Sequence, residues 1–137
     1  METLYIAAIS DRNGNCYYHA FRNRTNAIEF IRKEKLEGRR FSIHPRLQVL
    51  DAPEDLQGNS CCLTVIDNGG PAPLLFLDSS YKQARLTLKR SIATVRDQVI
   101  AAGTAYTEQD ISNTETIFRI NNLDRFCGIC IVPLFID

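Results

Sequence analysis

The sequence predicts an α+β fold, with a mainly antiparallel sheet of about six or seven strands and two helices packed on one of its faces. Three observations predict it. Residues 79–103 carry helix signals from start to stop. Short β-branched and aromatic runs lie on both sides, bounded by clusters of Asn, Asp, Gly and Pro. The order strand, strand, helix, strand also occurs twice, over residues 4–50 and 61–120, which admits a ββαβ pseudo-repeat although no residue-level similarity links the halves.

Residues 4–10 are apolar and β-branched enough for a strand, and residues 16–21 return as a second strand after a turn cluster centred on Asn13-Gly14. Asn23 or Thr25 caps a first helix of about three turns, on which Ala27, Ile28, Phe30, Ile31 and Leu36 form the apolar face before Gly38 ends it. Residues 40–50 read as a strand with Phe41, Ile43, Leu47 and Val49 on one side, and Pro45 argues for an edge or a bulge. After a surface loop over 51–60, residues 61–66 and 74–77 form the arms of another hairpin.

Ser80 and Gln83 then make a capping box. Leu88, Ile92, Val95, Val99 and Ala102 recur at helical spacing, and Gly103 stops the helix. Residues 104–116 suit a short helix capped by Thr107 and Asp110 or a loop equally well. The chain closes on a hairpin, 117–120 with 126–136, in which Pro133 marks an edge.

At 137 residues the chain suits one domain spanning 1–137. A hydrophobic fraction of 45% against 23% charged residues excludes a disordered chain. Glu2 stands where a secretory signal carries bases, and no apolar run approaches the ~18 residues of a membrane span. Five cysteines, with Cys61 and Cys62 adjacent, fit reduced thiols. The expectation is a soluble cytoplasmic protein without a membrane partner.

The net charge is zero but unevenly spread. Residues 1–46 hold nine bases and five acids, residues 47–78 five acids and no base, and the long helix five bases against Asp97. Lys82, Arg85, Lys89 and Arg96 fall within about 60° of one another around that helix. Arg32, Lys33, Lys35, Arg39 and Arg40 would extend the line if the helices lay side by side. Such a row can track the phosphates of nucleic acid or another polyanion, or it can be a solvated face paired with the acidic loops.

The string Asn13-Gly14-Asn15-Cys16-Tyr17-Tyr18-His19-Ala20-Phe21 resembles the nucleophile motif of the ovarian-tumour type of deubiquitinating cysteine protease. The resemblance implies a small cysteine hydrolase in which Cys16 opens a helix and works with a histidine, His19 or His44. It covers about nine residues. Asn13 stands where the motif has Asp, and no histidine follows His44, where that family places its catalytic one. Ordinary hairpin chemistry explains the same Asn-Gly.

Cys127-Gly128-Ile129-Cys130 has the spacing of a redox pair or half a zinc site. It runs into a strand-like segment, which favours core packing for these thiols and for Cys61 and Cys62. No cofactor or metal is expected. By elimination the sequence reads as a non-enzymatic interaction or regulatory module that binds protein, with polyanion binding and the Cys16 hydrolase as alternatives. The strand edges marked by Pro45 and Pro133 leave room for a homodimer built edge to edge.

Overall fold

A computed structural model describes residues 2–10, 16–37, 45–68, 73–123 and 127–137. The Asn13-Gly14 turn and Gly38, with the neighbouring Arg39, Arg40, Phe41, Ile43 and His44, lie outside the described residues. Among those described there are two α-helices and eight strands in an α+β arrangement. The strands form two antiparallel sheets rather than one sheet of six or seven. The chain divides into two compact units, Met1–Cys61 with Leu134–Asp137, and Cys62–Pro133.

The first unit holds β1 (Thr3–Ser10), β2 (Cys16–Phe21), α1 (Arg24–Glu37) and β3 (Arg46–Asp51), in the sheet order β2-β1-β3. Both neighbours of β1 are antiparallel, with Ala7 opposite His19 on one side and Leu47 on the other. Asn23 caps α1, its Oδ1 accepting from the backbone N–H of Thr25 at 2.8 Å. The helix runs 14 residues, about four turns. Ala7 and Ala27 are fully buried, and these small side chains let α1 lie close to the central strand, with Tyr5, Phe21, Phe30, Ile31 and Leu47 packed around them. Ile28, expected on the apolar face, is exposed. Pro45 precedes β3, which is indeed an edge strand.

The second unit is built on β4 (Ser60–Asn68), β5 (Leu74–Asp78), α2 (Tyr81–Ala101), β6 (Ile111–Asn113), β7 (Ile117–Ile120) and β8 (Cys127–Phe135), in the order β5-β4-β8-β7-β6. Ser80 Oγ accepts from the Gln83 N–H at 3.2 Å, one half of the expected capping box, while Gln83 Oε1 accepts from Ser79 Oγ at 2.6 Å. At the far end Gly103 takes φ +77°. The N–H groups of Gly103 and Thr104 then close on the carbonyls of Ile100 and Val99, satisfying the last turn.

Helix α2 lays Ala84, Leu88, Val95 and Val99 on Cys62, Ile66, Phe118, Ile120, Cys127, Ile129 and Ile131. The apolar stripe therefore starts one turn earlier than its sequence suggests, and Ala102 is exposed. Residues 104–116 contain a single helical turn at Glu108–Asp110 followed by β6, a strand the sequence does not announce. Pro133 sits in β8, a central strand, contrary to the expected edge. It lies beyond the last residue paired with β7, Cys130, so its missing N–H removes no bond from that ladder.

Candidate functional site

The hydrolase reading needs Cys16 at a helix mouth, where unpaired N–H groups would favour the thiolate. Cys16 instead opens strand β2 opposite Ser10, whose Oγ lies 3.4 Å from its Sγ. His19, three residues on, falls on the other face of the strand, because side chains alternate there. Its ring packs 4.6 Å from that of Phe30 on α1. The structure does not bring this thiol and this imidazole together. His44 lies outside the described residues.

The Cys127–Cys130 spacing is divided by the same alternation. Cys127 belongs to the core beneath α2, together with Cys62, whereas Cys130 points to the opposite face of β8. Burial, with Asp78 adding to it, pushes the Cys62 thiol above its ordinary pKa, so it stays protonated at neutral pH. No disulfide joins the five cysteines, and among the described residues no His, Cys, Asp or Glu cluster has a metal-binding arrangement.

The row of bases on α2 is split by what faces it. Arg96 donates to the Tyr106 hydroxyl at 3.0 Å and pairs with Glu108. Those contacts, the phenol first, raise its pKa and fasten the 104–110 connection to the helix. Arg85 lies 3.7 Å from Glu115. Lys82 and Lys89 are exposed. On α1, Arg32 pairs with Glu29 at 3.1 Å, while Lys33 and Lys35 are exposed. Arg39 and Arg40 lie outside the described residues. Three of the seven described bases of the candidate row thus face a carboxylate.

Close to Arg96, Asp110 accepts from the Thr107 N–H at 2.9 Å and from Asn122 at 3.0 Å. The Thr107 bond leads in lowering its pKa. Asn122 adopts φ +63° to close the turn after β7.

Two features escape a sequence reading. Arg22 binds Glu2 at 2.5 Å, the Gly58 carbonyl at 2.7 Å and Asn59, while its N–H donates to the Asp137 carbonyl. No local pattern announces partners 20 to 37 residues away. The other feature is the outer edge of β5. Residues Leu74 to Leu77 contain no charge, and Leu74 and Phe76 are 50% and 47% exposed on the α2 side of the sheet. The other sheet edges among the described residues differ. β6 has three residues, β3 begins with Arg46 and ends with Asp51, and β2 is flanked at Ala20 by Ile136.

Among the described residues no helix is long and apolar enough to cross a membrane. No protein-family model, curated protein or solved structure matches this chain.

Proposed function

We propose that the chain is a non-enzymatic interaction module that pairs with a second copy of itself along β5. The observation that carries this reading is the outer strand Leu74–Asp78, uncharged until its last residue and bearing two half-exposed apolar side chains. An outer strand presents a row of unpaired N–H and C=O groups, and proteins usually guard it with charge, proline, a bulge or shortness. Residues 74–77 carry neither charge nor proline, which occur only at the ends, as Asp78 and Pro73.

A second copy suits this edge for a geometric reason. Two identical strands related by a two-fold axis perpendicular to the sheet pair antiparallel, with residues of the same parity opposite one another. Leu74 and Phe76 of both copies then lie together on one face, and no like charges meet between 74 and 77. Measuring the NMR rotational correlation time from about 50 µM to about 1 mM tests this, the range being set by the weak association expected of so short a seam. A rise with concentration, with slowed amide exchange over 74–77, supports the reading. A constant value sinks it.

As a finer proposal, residues 1–137 act as a single domain, because the chain passes between the two units inside β4 and β8 rather than through a linker. Five cysteines without a disulfide support a reducing, cytoplasmic setting. The two ββαβ stretches read as variations on one plan: each opens with a hairpin whose first strand becomes internal, with a helix following. Polyanion binding is weakened by the carboxylates facing Arg32, Arg85 and Arg96.

A further inference from the structure

We infer that the cleft between α2 and the turn joining β6 to β7 is a binding site for a small amphipathic anion, an aromatic or short-chain carboxylate or sulfonate. The cleft has a volume of about 340 Å³, within the usual range of small-ligand sites. Leu88 and Ile92 supply an apolar floor, Arg85 and Lys89 a cationic wall one helical turn apart, and Glu115 stands on the opposite side. A ligand with an apolar body and one negative head matches that division, its body on Leu88 and Ile92 and its head between the two cations.

Glu115 is the built-in competitor. Its carboxylate lies 3.7 Å from Arg85 and its side chain is 74% exposed. That separation is well beyond the ~2.8 Å of a direct charge-assisted bond, so the guanidinium keeps donors for a better-placed anion. Glu108 holds Arg96 by direct hydrogen bonding, which leaves that base out of the site. The carboxylate of Glu115 also sets the expected order of affinities, because removing its charge removes the rival without touching the floor.

The probe is 8-anilinonaphthalene-1-sulfonate, titrated by fluorescence against the full chain with amide chemical shifts recorded in parallel. Saturable binding at one site is expected, with shifts centred on residues 85–92 and 113–115. Glu115→Gln tightens binding about threefold, and the double variant Arg85→Gln/Lys89→Gln weakens it at least about tenfold, magnitudes typical of single exposed charge contacts. The opposed directions separate the site from general loss of structure, which would move both variants the same way. Binding that leaves these shifts unmoved, that ignores both substitutions, or that fails to saturate overturns the inference. Phe76→Lys serves as the control for attachment at β5 and leaves the affinity unchanged if the inference holds.

Discussion

Replacing Phe76 by lysine is the sharpest perturbation of the proposed self-pairing. Phe76 is half-exposed at the outer strand, so its replacement costs the monomer about 1 kcal/mol while removing a contact that the pair uses twice. Burying the exposed half of Leu74 or of Phe76 stabilises by about 1 kcal/mol, and four such halves in a two-fold pair give about 4 kcal/mol. Roughly four backbone hydrogen bonds add about 1 kcal/mol each. Association itself costs at least about 4 kcal/mol. The balance, about −4 kcal/mol, corresponds to a Kd near 1 mM.

Phe76→Lys removes about 2 kcal/mol per pair, a weakening of roughly 30-fold, before counting repulsion between the two ammonium groups. Correlation times from ¹⁵N relaxation at about 1 mM protein, where roughly half the wild-type chains would be paired, give the assay. The variant is expected to tumble as a monomer, with a thermal midpoint lower by about 4 °C because the buried half of Phe76 is lost as well. A variant that associates as strongly as the wild type would refute the reasoning, since the seam would then lie elsewhere.

Thr64 is fully buried and its hydroxyl has no hydrogen-bond partner among the described residues, so Thr64→Val is expected to stabilise the protein by about 1 kcal/mol, read from a denaturant midpoint shifted upward at constant slope. Iodoacetamide near neutral pH is expected to label exposed Cys16 first and to spare buried Cys61, Cys62 and Cys127, with Cys16 reacting no faster than an ordinary exposed thiol; labelling far faster than that would revive the hydrolase. Asp110 has a lowered pKa in the fold, so its contribution is present above the usual carboxylate range and is lost as pH falls through the folded value. Thermal midpoints of Asp110→Asn should accordingly fall less steeply with acid than those of the wild type, and parallel curves would show the contribution to be absent.

Element identity was largely legible from local chemistry. The Ser80 cap and the Gly103 stop locate α2 to within a residue, because capping groups and positive φ are properties of a few neighbouring residues. Strands β1, β2, β7 and β8 follow from alternation and flanking turn residues in the same way. The short β6 was not legible. Its three residues carry too little pattern, and only pairing with β7 makes them a strand.

The candidate sites depended on facts that no local window holds. The string around Cys16 suggests a nucleophile until strand pairing puts Cys16 and His19 on opposite faces. The row of bases on α2 is visible by counting, but whether each meets a carboxylate depends on where residues 108 and 115 return. Residues 74–77 are apolar in either case; only the order β5-β4-β8-β7-β6 makes them an edge instead of a core strand. By itself the sequence determined most of the helices and strands, β6 excepted, and the larger part of their apolar faces, since capping, periodicity and turn preference act over a few residues. Sheet order, and with it the open edge and the cleft, was decided by the tertiary structure, because strand pairing joins residues far apart in the chain.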